Sequence, residues 1–476
     1  MAGKTVPLYR TDTGRTDTGR QSRRRFVQCS LMAGGAGLTL ADVLRLRAEA
    51  AISSKPRRDT AVIQIWLGGG PSQFETFDPK PAAPVEFRGP YSSISTKLPG
   101  IRFCETMPKT GQVIDRAAII RTVTHTTNGH FVGAHWLSTG YEGTGGRATH
   151  PSSGAIASRF RGPIHPGLPA YVLLSHEFTR NPEIAEVMGT GHLSVSHAPF
   201  VLRQDPFRDE FEFAKVRAAT ANLKLADDVT IERATDRKSL LGELDRIARN
   251  IDHSGALAGI DEFNQTALQM VTSGEARRAF DLNREPRATR EKYGMHRWGQ
   301  MGLLARRLVE AGVTFVTLNT APDSLCWDWH LNIKNDKRPA DGSLGPSRGM
   351  DVSGPALDQM LSALITDLYE RGIDRKVLLI VWGEFGRTPR VNKTGGRDHW
   401  GALMSILMAG GGLQVGQVIG TSSRKGEVPA SRPVNPNDVL ATIYRHLDID
   451  PTLHTVTREG RPIPVLPDGQ PIRELL

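Results

Sequence analysis

Asp328 and His330 stand two residues apart in Cys326-Trp327-Asp328-Trp329-His330. In an extended segment that spacing turns a carboxylate and an imidazole to the same side, which is how a chain offers two ligands to one metal ion. The flanking tryptophans favour burial, and a buried aspartate needs a partner. Further on, Trp382-Gly383-Glu384-Phe385-Gly386-Arg387-Thr388-Pro389 is followed by Gly396-Arg397-Asp398-His399-Trp400. Glu384 comes directly after a Val/Leu/Ile-rich run, where an unpaired carboxylate is costly. Arg387 or Arg397 could grip phosphate or sulfate in a bidentate fork, or brace two loops as an Arg–Glu ion pair. The two uses weigh equally here.

A third stretch, Thr124-His125-Thr126-Thr127-Asn128-Gly129-His130, runs on to His135. Three histidines so placed, across a helix start, suit metal ligation or anion binding. His130 and His135 lie about 140° apart round a helix and cannot face one ion together, so His130 is preferred for the site and His135 for structure. The fourth stretch, Gly68-Gly69-Gly70-Pro71-Ser72-Gln73, lets backbone approach an anion, but its spacing is not a P-loop and a plain turn is the better reading.

These stretches follow short apolar runs at residues 61–67, 117–123, 313–318 and 377–382, with further runs at 170–174 and 404–408. Trp298, Met301, Leu304, Ala305 and Leu308 repeat at helical spacing, as do Leu357, Leu361, Leu364, Ile365 and Leu368. Strands alternating with helices predict an α/β fold, a mainly parallel sheet with helices on both faces. Sites in such sheets gather beyond the carboxyl ends of the strands. Residues 205–291 are charged, Ala-rich and poor in strand signal, and read as a helical insertion or cap; residues 338–350 read as a loop.

The chain has 476 residues, 39% hydrophobic and 23% charged, which suits a globular protein with a sizeable core. Its formal charge of +10 is half spent in residues 1–50, where nine Lys/Arg stand against four Asp/Glu. What remains is modest and forms no basic-aromatic cluster, so no nucleic-acid partner is expected. No segment reaches the roughly 18 uninterrupted apolar residues of a spanning helix, so stable membrane insertion is not expected either.

Residues 1–50 read as an address. Ser22-Arg23-Arg24-Arg25-Phe26, a weak apolar run to Leu40 and Ala48-Glu49-Ala50 resemble a twin-arginine (Tat) export signal. That implies the Tat translocase as a transient partner, a periplasmic or otherwise exported mature chain from Ala51, and cargo that crosses folded. Cys29 leaves with the signal. Cys104 and Cys326 remain as one disulfide or two buried thiols.

The Tat-like signal together with I-W-L-G-G-G-P-S-Q…T-F-D-P-K, W-G-E-F-G-R-T-P and G-R-D-H-W resembles the exported domain of unknown function 1501 family, placed in the alkaline phosphatase/sulfatase superfamily. The resemblance implies an alkaline-phosphatase-like domain over residues 51–476. It also implies a metal centre in which Asp328, His330 and His399 match one ion's ligands in order. Gly69 and Phe385 stand where a second ion's ligands would be. Counting back from the Ser138-Thr139-Gly140 turn, the nucleophile position falls on His130 rather than a hydroxyl, with Thr126 and Thr127 nearby.

Two functions follow. The first is a hydrolase of phosphate or sulfate esters, small or on a glycan. Asp328, His330, Glu384 and His399 would hold zinc, manganese or calcium, while His130, Thr127, Asn128, Arg387 and Arg397 serve the reaction. The second is a non-catalytic binding or scaffold protein on the same fold. A lyase or phosphomutase is a weaker third.

Overall fold

The computed structural model describes residues 59–143, 148–175, 186–203, 274–320, 327–335 and 349–476. An eight-stranded sheet crosses it. The strands are β1 (Ala61–Trp66), β2 (Ala117–Val123), β3 (Tyr171–Ser175), β4 (Phe200–Arg203), β5 (Phe315–Asn319), β6 (Val377–Trp382), β7 (Met404–Gly410) and β8 (Gln417–Ile419). Their order is β8-β2-β7-β6-β1-β5-β3-β4, and β7 alone runs antiparallel to its neighbours. Six of the eight lie where apolar runs predict them. β4 and β8 escape that reading because each is short and sits at an edge.

Every residue of β1 and β6 is buried, as strands covered on both faces must be. The inward alternation divides the core in two. Ile63 and Ile65 pack beneath α3 (Arg297–Ala311) and α4 (Met350–Glu370). Val62 and Trp66 face the other way, toward α1 (His130–Thr139), α2 (Ser153–Arg161) and α5 (Pro436–His446). Helices therefore lie on both faces, as expected.

Local signals stop and start these helices. Ser152 caps α2 by accepting from Ala155 N at 3.2 Å, and Asn435 with Asp438 closes a capping box on α5. Each such cap contributes about 1 kcal/mol. Gly312 ends α3 at φ +110°.

The register decides where the chemistry gathers. Trp66 pairs with both Asn319 and Trp382, so β1, β5 and β6 end level at one sheet edge. β2 ends opposite the start of the reversed β7, Val123 against Met404. Consequently the segments after residues 66, 123, 319 and 382, and the one leading into 404, all emerge together.

The amino-terminal 1–50 segment and Cys326 lie outside the described residues, as do 205–273 of the expected insertion and 338–348 of the expected loop. The insertion's described end is helical: Gly274–Phe280 and Arg287–Tyr293 bury Ala276, Ala279, Phe280 and Tyr293 in the α3/α4 core. Met350, placed in a loop by sequence, opens α4. Cys104 is a free buried thiol, and burial pushes it up to about 12.

Candidate metal centre

His330 arrives beside Asp328 by a tighter route than an extended chain. Its backbone N–H donates to Asp328 O at 3.2 Å, a turn across two residues, and this folds the ring back onto the carboxylate. His330 Nε2 stands 2.8 Å from Asp328 Oδ1. His399 comes from the two-residue ladder that pairs His399–Trp400 with Gly386–Arg387, and its Nε2 lies 3.0 Å from the same oxygen and 2.9 Å from His330 Nε2. His130 opens α1 and sets its Nε2 3.5 Å from Asp328 Oδ2.

Each ring's other nitrogen is tied to an acceptor. His330 Nδ1 meets Asp398 Oδ1 at 2.8 Å, His399 Nδ1 meets Asn128 O at 2.8 Å, and His130 Nδ1 meets Glu384 Oε1 at 2.7 Å. A carboxylate or carbonyl oxygen only accepts, so each Nδ1 carries its ring's proton. In the neutral rings three Nε2 lone pairs therefore converge on a carboxylate, with no hydrogen between them. Only a cation reconciles that arrangement, either extra protons or a metal. The outer anchors are those that orient metal-binding histidines. His130, Asp328 and His399 can each offer one atom within 4.8 Å of the others. The donor set of imidazoles and one carboxylate suits zinc or manganese.

Charge follows the same logic. Burial pushes the Asp328 carboxyl up, but bonds to His130, His330 and His399 and the charge on Arg387 outweigh it and hold it far below the carboxylate range. Burial lowers His130, yet Asp328 and Glu384 raise it overall to about 9. His330 is raised chiefly by its bond to Asp328.

Glu384 does not stand with the other expected ligands. It lies one step behind His130, fully buried, and its Oε1 also accepts from Gly69 N at 2.7 Å, while Oε2 has no hydrogen-bond partner among the described residues. The glycine turn does receive an anion through its backbone, but that anion is the protein's own carboxylate. Gly70, at φ +85°, packs so close to Phe385 that any side chain would collide with the ring.

Both arginines are consumed by the protein. Arg397 is buried against Glu75, Nε to Oε2 at 3.1 Å and Nη2 to Oε1 at 3.0 Å, and lies 4.1 Å over the Phe74 ring. That corrects the oxyanion reading for Arg397 in favour of the bracing ion pair. Arg387 donates to Asp328 Oδ1 at 2.5 Å, to Gly70 O at 2.8 Å, to Arg397 O at 3.1 Å and to Gly69 O. It acts on the centre through Asp328, not as a free fork. Asn128 likewise works mainly as a positioner, its Oδ1 taking Gly401 N at 2.7 Å. Thr127 Oγ1 accepts from Gly129 N at 3.2 Å just before α1. His125 is buried, its Nε2 donating to Glu384 O at 2.8 Å, and burial lowers it to about 4.

Sequence reasoning missed Asp398 and Glu75. Asp398 had a signal, a carboxylate adjoining a candidate ligand. Glu75 had none, because its partner lies 322 residues away.

The chain belongs to the family described as protein of unknown function (DUF1501), whose model matches residues 59–476. None of the curated proteins matches its sequence. It is similar in structure to the sulfatase PsFucS1 from Pseudoalteromonas sp., at 12% identity and a TM-score of 0.34, over 86% of this chain and 72% of that one. It is similar also to an alkaline phosphatase from the Antarctic bacterium TAB5, at 11% identity and a TM-score of 0.37, over 83% of this chain and 99% of that one. A phosphonate monoester hydrolase of Agrobacterium radiobacter gives 9% identity and a TM-score of 0.32, over 83% and 75%. These likenesses are distant and carry no activity over to this chain.

Proposed function

We propose that this member of the DUF1501 family hydrolyses phosphate or sulfate esters at a centre built for one divalent ion. The observation that carries the reading is the meeting of three imidazole Nε2 atoms on Asp328, each ring fixed from behind. Asp328, His330 and His399 would hold the ion. A bound divalent ion would supply Lewis acidity at an ester oxygen.

The chain's own groups supply the rest. His130 Nε2 stands off from Asp328 farther than the other rings do; with an ion's charge offsetting the carboxylate that holds this ring protonated, it would be the nitrogen placed to take a proton from an attacking water. Glu384, bonded to Nδ1, stabilises the imidazolium that results. The first turn of α1 has no side-chain cap, and its amides would favour the oxyanion. Arg387 keeps a fixed positive charge against Asp328, which suits a centre with one ion instead of two.

Export fits this chemistry. In this reading the Tat translocase delivers the folded chain to the periplasm. Arg23→Lys with Arg24→Lys should leave a fused reporter in the cytoplasm, and unchanged export would refute the address. Among the described residues no helix is long and apolar enough to cross a membrane.

The scaffold alternative draws on two observations: Phe385 stacks on His399 at 4.5 Å, and α1 begins with an imidazole instead of a hydroxyl nucleophile. Metal analysis of the chain from Ala51, purified without chelators, separates the two readings when paired with hydrolysis of p-nitrophenyl phosphate and sulfate. Bound metal that disappears in His330→Ala and His399→Ala, with turnover lost alongside, is the expected result. A folded, metal-free protein after dialysis against zinc, manganese and calcium would overturn the hydrolase.

A further inference from the structure

Beside the metal centre, two cavities share Val85, Gly89 and Pro90 as a common wall. The nearer has a volume of about 370 Å³ and reaches Asn332 and Lys334, within two to four residues of His330. Its wall is made of the loops that carry the centre, for Ile333 N donates to Gly395 O at 3.0 Å and Arg397 N to Trp329 O at 2.9 Å. The farther cavity is about 440 Å³ and is rimmed by Lys80, Arg88 and Arg102. Both are of small-molecule size, and together they lead outward from the His330 loop.

The floor is rigid. Gly89, at φ +75°, lies directly against the buried Glu75–Arg397 ion pair, leaving no room for a side chain. The rim is positive. Lys80 is matched by Asp78 at 2.9 Å. Among the described residues the Arg102 guanidinium bonds to Ser93 and Ser95 oxygens, and Lys334 lies 5.5 Å over the Tyr91 ring. Neither they nor Arg88 have a carboxylate partner among the described residues. Against these three uncompensated cations the lining offers one carboxylate, Glu86. Concave surfaces with one sign of charge concentrate the opposite ion. Val85, 71% exposed, joins Pro90 and Val391 as an apolar strip that suits the face of a sugar ring.

We propose that this pair of cavities seats the distal part of an anionic polysaccharide carrying several sulfate or phosphate groups, whose reacting ester lies at the Asp328 centre. The inference rests on the ester-hydrolase reading for the reacting end, but the groove can be tested by binding alone. The test uses the metal-supplied full mature chain with dextran sulfate, phosphorylated dextran and neutral dextran as probes, and p-nitrophenyl esters for turnover. Arg88→Ser and Lys334→Ser lie away from the catalytic groups. At low salt each should weaken binding of the charged dextrans about fivefold, the upper end for one exposed charge pair. Hydrolysis of the small esters should stay unchanged, and the preferred charged dextran identifies sulfate or phosphate. Equal binding of neutral dextran, equal binding of a single-stranded DNA oligomer, or undiminished binding by both variants would overturn the polysaccharide site. Loss of small-ester hydrolysis in the unmutated protein, with the groove still binding, would sink the hydrolase reading instead.

Discussion

Helix α1 carries a histidine cluster on each of two sides, and the two have opposite chemistry. His130 at its start joins His330 and His399 around Asp328. His135, one and a half turns on, packs against His150 at 5.4 Å, and His150 lies 6.1 Å from His192. In the second cluster the rings' partners are neutral: Tyr141 O for His135 at 2.8 Å, Thr149 Oγ1 for His150 at 3.0 Å, and Thr149 O and Thr455 Oγ1 for His192 at 3.0 and 2.7 Å. His150 also stacks flat on Tyr141 at 4.0 Å. Burial, then the mutual repulsion of the rings, lowers His150 to about 4, and burial lowers His135 and His192 as well. In the first cluster carboxylates outweigh burial and raise His130 and His330. The residue type is the same, so the partners decide. Imidazoles with carboxylates among them gather cations; imidazoles among hydroxyls and carbonyls stay neutral and pack as aromatic rings.

Removing the carboxylate should erase the difference most completely. Asp328→Asn keeps a hydrogen-bond acceptor beside the buried Arg387, which Asp328→Ala would remove. It should abolish stoichiometric metal and lower ester hydrolysis more than about a thousandfold, several kcal/mol of charge stabilisation. Metal retained in Asp328→Asn would show that the rings alone suffice. A smaller effect is expected behind the first layer. Asp398→Asn frees His330 Nδ1 from its carboxylate and should weaken metal binding about 10- to 100-fold in a competition titration with a chelator.

The second cluster predicts an acid-sensitive term. His150 has a folded pKa below its unfolded value near 6.5, so its contribution is full above pH 6.5 and fades as pH falls toward 4. His135 and His192 act in the same direction, while Glu459 pulls His192 weakly the other way. His150→Phe keeps the ring on Tyr141 and should flatten the decline in urea midpoint between pH 6.5 and 4. An unaltered decline would place the acid sensitivity elsewhere. The mildest change is Tyr141→Phe, which removes the bond from Tyr141 Oη to Pro464 O at 2.7 Å and should cost about 1 kcal/mol in urea unfolding.

How much of this the sequence discloses depends on whether the signal is local. β1, β2 and β6 are readable because strands buried on both faces are mostly apolar runs, interrupted here by Gln64 in β1 and by Arg121 and Thr122 in β2. Asp328, His330 and His399 are readable because their types announce metal chemistry wherever they meet. What their spacing does not disclose is the turn that brings His330 back onto Asp328, since that depends on the loop being held by Gly395 and Arg397. The use of Arg397 is equally hidden, because only the fold brings Glu75 to it. Glu384 shows the limit well: its burial is legible from the strand before it, but its place behind His130 requires knowing where α1 starts.

Arg387 remains to be followed through. Its guanidinium holds Asp328 and the carbonyls of Gly69 and Gly70 from below, a cation that no chelator extracts and no physiological pH discharges. If the centre holds an ion, its removal would therefore leave the floor of the centre standing. Loading and folding become separable events, so a chain emptied by EDTA should keep its melting cooperativity and refill on return of the ion, like a socket waiting for its lamp.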